Sequence, residues 1–123
     1  MNWSEKNVLI TGGNGFLGSF LIEQLDKKNV KNLVIPTSKD YDLRSRIDCR
    51  NVLKDIDVVF HLAGNQGGIG FLKENPADVF YDNIMMGTNL IHESKEANIE
   101  KLITLGTICS YPKFSPLPFD EEN

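Results

Sequence analysis

Three glycines, Gly12, Gly15 and Gly18, stand in a G-x-x-G-x-x-G spacing directly after the apolar run Val8, Leu9, Ile10, Thr11. The chemistry this spacing serves is the holding of a pyrophosphate. The first glycine permits a tight turn, the second lets backbone approach the phosphates, and the third lets the following helix pack closely on the sheet. Free N–H groups at the start of that helix, near Phe16 and Leu17, then face the anion. Glycine triplets also arise in purely structural turns, so the strand before the triplet and the amphipathic helix after it are what give it meaning.

The nature of the nucleotide is read at the end of the second strand, where a carboxylate accepts from a ribose 2′-hydroxyl and hydroxyls or a cation receive a 2′-phosphate. Thr37, Ser38 and Lys39 occupy that place. NADP is therefore the expected cofactor, with NAD the alternative because Asp40 is close by. Thr107 follows the fourth strand-like run, so its hydroxyl falls at the carboxyl edge of the sheet and can donate to an oxygen gaining negative charge. Its competing role is a turn hydroxyl bonded to its own backbone. For Cys109 the competing role is that of a small apolar packing residue. His61 reads as a core or loop contact, His92 as solvated, and Met85 and Met86 as packing. Asn83, Gly87 and Leu90 share one helix face, which makes Asn83 either a cofactor contact or a satisfied polar residue beneath a loop.

The elements that must position these residues alternate. A strand at residues 8–11 precedes a helix with Leu17, Phe20, Leu21 and Leu25 on one stripe. A second strand at residues 32–35 ends at Pro36, and a polar segment follows at residues 45–55 with Ile47, Val52 and Leu53 as its apolar positions. The third strand, residues 57–63, is the most apolar. After a loop at residues 64–70, Asn75 supplies an N-cap, Pro76 the first helical position and Asp78 a first-turn acid, opening a long helix to about residue 98. A fourth strand at residues 101–105 ends at Gly106, and the proline-bearing stretch from Tyr111 onward reads as a loop. Strands this apolar, alternating with helices, specify an α/β fold with a parallel, doubly wound sheet covered on both faces, and the expected order is 3-2-1-4.

These residues carry a resemblance. The runs Thr11 to Gly18, Asp42-Leu43, His61 to Gly64, Tyr81 to Thr88 and Gly106 to Pro112 resemble the extended short-chain dehydrogenase/reductase family of sugar-nucleotide enzymes, in order and through essentially the whole chain. Within it, Gln66 to Ile69, Asn75 to Asp78 and Gly106-x-x-Cys109-x-Tyr-Pro-Lys113 are most similar to the GDP-L-fucose synthase branch. The GDP-mannose 3,5-epimerases, with a loop like Gly67 to Phe71, are the nearest competitor. The resemblance implies that Gly12, Gly15, Phe16 and Leu17 hold the pyrophosphate and that Asp42 and Leu43 flank the adenine. Leu62, Ala63 and Gly64 would line the ribose and nicotinamide side, with Gln66 near the ribose and Asn83 facing the cofactor. Thr107 stands where the family's hydroxyl meets the substrate keto oxygen, and Cys109 matches a cysteine acting as acid/base in epimerisation. A GDP-sugar substrate and a homodimeric full-length enzyme are implied too.

The chain also departs from that pattern. The family's Tyr-x-x-x-Lys pair is missing, since Tyr41, Tyr81 and Tyr111 have Ser45, Met85 and Ser115 four residues on. Ile108 fills the place where nucleotide-sugar dehydratases carry an acid. The expectation is thus one domain, residues 1–123, forming the N-terminal cofactor-binding portion of an enzyme without its substrate domain; a non-catalytic dinucleotide-binding module is the alternative. Composition agrees with a globular domain: 41% of residues are hydrophobic and 24% charged. Seventeen acidic against 13 basic residues, a net charge of −4, with no basic block, argue against nucleic acid. No apolar run suits a membrane span and no signal-peptide pattern opens the chain, so a cytoplasmic location is expected. Cys49 and Cys109, far apart, suggest neither a disulfide framework nor a metal site.

Overall fold

The computed structural model describes residues 1–121. Four strands, β1 (Asn7–Thr11), β2 (Asn32–Val34), β3 (Val58–His61) and β4 (Lys101–Thr104), alternate with α1 (Phe16–Asp26), α2 (Arg46–Val52), α3 (Ile69–Glu74) and α4 (Pro76–Glu96). The strands are all parallel, as the alternation requires.

Their order is β2-β1-β3-β4, which corrects the expected 3-2-1-4. The third strand pairs with β1, Val8 opposite Val58 and Ile10 opposite Phe60, instead of lying outside β2. Burial gives the reason. Val58 and Val59 are fully buried, one on each face, so β3 needs cover on both sides and partners on both edges. β2 is only three residues long and half exposed, which suits an edge.

Crossovers of one hand, taken outward to β2 and then back across β1 to β3, put their helices on opposite faces. Leu25 of α1 packs with Val8, Ile10 and Val58. Cys49 and Val52 of α2 and Leu90 of α4 pack with Leu9 and Val59 on the other face. The reversal of strand order therefore falls between β1 and β3, where a crevice opens at the carboxyl ends of the strands.

Several helix details differ from expectation. The buried face of α1 is Gly18, Leu21, Ile22 and Leu25, while Leu17 and Phe20 are exposed, because Gly18, packed closely on Gly12 and Gly13, sets which face of the helix lies on the sheet. In α2 the inward residues are Cys49 and Val52, and Ile47 points to solvent. Ser45 caps α2 through its hydroxyl, which accepts from the Asp48 N–H. Asn75 occupies the cap position of α4, but its amide donates backwards to the Phe71 carbonyl instead of capping. Residues 69 and 70, expected in a loop, begin α3. Cys49 is buried, with its thiol donating to the Leu43 carbonyl and its pKa pushed up to about 11, chiefly by burial.

Candidate functional site

The glycine turn owes its shape to one backbone conformation. Gly12 has φ 72°, and a β-carbon there would lie 2.6 Å from the Ala63 nitrogen, so only glycine fits between β1 and the chain leaving β3. Gly18 is buried under the same turn, its missing side chain replaced by the Gly12 carbonyl. The turn is pinned from below by Thr11, whose hydroxyl accepts from the Ala63 N–H at 3.3 Å and lies 2.7 Å from Nδ1 of His61. Burial lowers the His61 pKa, which keeps the ring neutral as a hydrogen-bond partner. His61 is thus a contact between two strand ends, made to the Thr11 side chain.

Around this turn lies a cavity of about 930 Å³ at the carboxyl ends of β1, β2 and β3. Gly12, Gly15, Phe16, Leu17 and Gly18 form one wall at the start of α1, where the first backbone N–H groups of the helix have no helical partners. Ser38 lines the cavity past the end of β2, with Asp42 and Leu43 beyond it. Leu62, Ala63, Gly64 and Gln66 line the opposite side.

Two residues expected at the cofactor do not line this larger cavity. Lys39 does not line the cavity; its loop is fixed by Asp40, which turns back to accept from both the N–H and the hydroxyl of Thr37. Those bonds hold the Asp40 carboxyl below the usual carboxylate range. Asn83 is engaged by the loop after β3: its Oδ1 accepts from the Asn65 N–H at 2.7 Å and its Nδ2 donates to the Asn65 carbonyl at 2.9 Å. It faces a smaller cavity of about 340 Å³ shared with His61, Gly87 and Thr104.

Residues that sequence reasoning missed include Arg44, Asn65 and Asp82, all on the larger cavity. Arg44 forks onto Asp42, 2.8 Å from Nη2 to Oδ2, and its hydrogen bonds hold the Asp42 carboxyl below its usual range. No spacing rule marks them, because they come from three separate segments.

Beyond β4, Thr107 immediately precedes a short 3₁₀ turn, Ile108–Ser110, that holds Cys109, and neither residue lines a cavity described above. Both are exposed. The Thr107 hydroxyl accepts from the Cys109 N–H at 3.2 Å, the backbone bond of the competing reading. Its oxygen is then the acceptor, and its proton remains available to a ligand. Among the described residues, no group of three His, Cys, Asp or Glu is placed to hold a metal, and no helix is long and apolar enough to cross a membrane.

Residues 8–123 match the NAD dependent epimerase/dehydratase family. The chain is 32% identical to GDP-L-fucose synthase 1 of Arabidopsis thaliana over 98% of its own length and 38% of that protein's. It is 34% identical to GDP-L-fucose synthase of Escherichia coli (strain K12), over 96% and 37% respectively. In three dimensions it resembles MlghC, the GDP-mannoheptose C4 reductase from Campylobacter jejuni with NADP bound, with a TM-score of 0.86 at 30% identity, covering 97% of this chain and 38% of that one. The chain thus spans well under half the length of the relatives it matches.

Proposed function

Because this chain belongs to the NAD dependent epimerase/dehydratase family, we propose that it is the dinucleotide-binding portion of an NADP-dependent nucleotide-sugar epimerase/reductase. The substrate class is a GDP-linked 4-keto sugar, in the manner of GDP-L-fucose synthase. The observation that carries the reading is the glycine turn, with Gly12 at φ 72° opening α1 onto the 930 Å³ cavity. That volume lies in the range of small-molecule sites. The cradle also fits the cofactor chemically, since unpartnered N–H groups face the place where diphosphate belongs.

A nicotinamide dinucleotide bound there supplies or accepts the hydride. The N-terminus of α1 with Gly12, Gly15, Phe16 and Leu17 would hold the diphosphate, Ser38 the 2′-phosphate, and Asp42 and Leu43 the adenine. Leu62, Ala63, Gly64 and Gln66 would line the ribose and nicotinamide side. Asn83 acts on that side indirectly, by clamping the Asn65 backbone. Thr107, with its oxygen already accepting from Cys109 N–H, is left to donate its proton to the substrate's keto oxygen. Cys109, exposed on the same turn, would exchange protons at the carbons beside that keto group. The whole enzyme would work as a homodimer in the cytoplasm.

Titration of the chain with NADPH and NADH tests the cofactor assignment, with NADPH expected to bind more tightly; an equal or reversed preference removes NADP from the proposal. In the enzyme that carries this segment, Thr107→Ala should slow keto reduction by about 10²-fold, the size of one lost oxyanion donor. Cys109→Ala should block proton exchange at the epimerised carbons and spare hydride transfer to a pre-epimerised substrate. Equal loss of both activities in both variants would overturn these roles, and turnover of GDP-mannose itself would point instead to a GDP-mannose 3,5-epimerase.

A further inference from the structure

The larger cavity has a charged wall in which each group is held by the next. Asp82 of α4 accepts twice: Oδ1 from Arg44 Nη1 at 3.0 Å and Oδ2 from Asn65 Nδ2 at 2.9 Å. Arg44 then grips Asp42 from the other side, with Nε donating to Oδ1 at 3.0 Å and Nη2 to Oδ2 at 2.8 Å. Asn65, Asp82, Arg44 and Asp42 all line the cavity. The side chains differ in exposure: Asp82 is 19% exposed, while Arg44 and Asp42 are 48% and 43%. Asp82, on a 21-residue helix, is therefore the anchored end of the chain, and Asp42, on a loop, is the end that meets a ligand.

We propose that Asp82 is a positioning residue for adenine recognition: by fixing Arg44 it aims the Asp42 carboxylate at the exocyclic amino group of the base. The inference rests on the dinucleotide reading given above. With the diphosphate at the start of α1 and the adenosine ribose at the end of β2, the base extends into the part of the cavity lined by Asp42, Leu43 and Arg44, facing Asp82 and Met86. Arg44 gives the Asp42 carboxylate three N–H donors, its backbone N–H to Oδ1, Nη2 to Oδ2 and Nε shared between the two, and a carboxylate has about four lone-pair sites, so one site on Oδ2 is left for a further donor. An amino group can donate to it, whereas a keto oxygen at the same position of the base meets it lone pair to lone pair. One cation shared between two carboxylates also keeps Asp42 ionised and facing inward. Without Asp82, Arg44 is tied only to Asp42, two residues away on the same loop, and the pair can swing together toward solvent. Asn89, which donates to the Leu43 and Arg44 carbonyls, would still hold the loop backbone. The loss is one of aim and not of fold.

Paired titrations with NADPH and its hypoxanthine analogue, in which oxygen replaces the amino group, test this. The wild-type chain should prefer adenine by about tenfold, the worth of one hydrogen bond to a charged acceptor. Asp82→Asn should shrink that preference by roughly fivefold, the scale of a partly exposed ion pair, through weaker NADPH binding alone. Equal weakening of both ligands would mean that Asp82 only supports the fold, and the proposal falls. Equal binding of both ligands by the wild type would also overturn it, since Asp42 would then not read the base. Binding of neither ligand by the wild type would overturn the dinucleotide reading itself. If Asp82→Asn does not fold, Arg44→Gln, at a half-exposed position, breaks the same chain, and an unchanged preference in that variant overturns the proposal.

Discussion

A side chain added at Gly15 and one added at Gly18 would meet very different surroundings. At Gly15 a β-carbon touches only the Gly12 carbonyl, at 3.2 Å, and the backbone there has an ordinary φ of −81°. At Gly18 it would lie 2.5 Å from both the Gly12 carbonyl and the Gly13 α-carbon, neither of which can move without opening the turn. Gly15→Val should therefore leave the melting temperature nearly unchanged and abolish dinucleotide binding in calorimetric titration, because the branched side chain fills the place of the phosphates. Gly18→Ala should lose on the order of 1–3 kcal/mol of stability from overpacking. The reverse pattern would show that the two glycines have been assigned each other's roles. The spacing of the triplet was legible in the sequence, but the division of labour within it depends on which backbone atoms lie opposite: those of Gly12 and Gly13 for Gly18, and those of Leu62 and Ala63, just past β3, for Gly12.

At the scale of elements, the packing of α2 on α4 is organised by a buried acid that no motif announces. Glu93 is 1% exposed and receives both Arg46 and Arg50 from α2, with Arg50 Nε at 2.9 Å from Oε2. Hydrogen bonds from Arg50 first, and then Arg46, lower its pKa from 4.5 to about 2. A carboxyl whose folded pKa is depressed stabilises fully above its unfolded value, and that contribution is lost as the pH falls through the folded one. The window here runs from about 4.5 down to about 2. Glu93→Gln should lower the melting temperature at near-neutral pH, and it should also flatten the acid-induced fall across that window relative to the wild type. Parallel melting-temperature curves for the two proteins would contradict the ion-pair account. From sequence alone, Glu93 looks like one more solvent-facing charge in a helix rich in them. Its burial goes with two arginines on α2, 43 and 47 residues earlier in the chain.

The molecule as a whole has one well-covered centre and two unequal edges. Leu9 and Ile10 of β1 and Val58 and Val59 of β3 are fully buried, whereas β4 has an exposed–intermediate–intermediate–exposed pattern. Among the described residues, no strand pairs with the far edge of β4. Beside it, α4 presents Phe80, Ile84 and Ile91 at 69%, 48% and 50% exposure, and Leu105 is 57% exposed. Open strand edges and contiguous apolar surface both favour association. Sedimentation of the 123-residue chain should therefore show dimers or larger species, and Ile84→Lys with Ile91→Lys should shift it toward monomer. A wild-type chain that stays monomeric at high concentration would remove this expectation.

The local signals determined much of this protein before any contact was known. β-Branched runs, a glycine triplet at a strand-to-helix junction and proline at the first turn of α4 marked the four strands, α1 and α4 and placed the glycine turn, because strand and helix periodicity and glycine geometry act over a few residues. Twelve of the fourteen residues expected at the cofactor line the larger cavity, Lys39 and Asn83 being the two that do not. Only the tertiary structure decided the strand order, since that depends on which strand most needs two neighbours, a comparison of burial across the whole sheet. It alone also brought Asp82 within reach of both Arg44 and Asn65. Contacts of this kind are set by how α4 lies across the sheet, a distance in space that no spacing along the chain encodes.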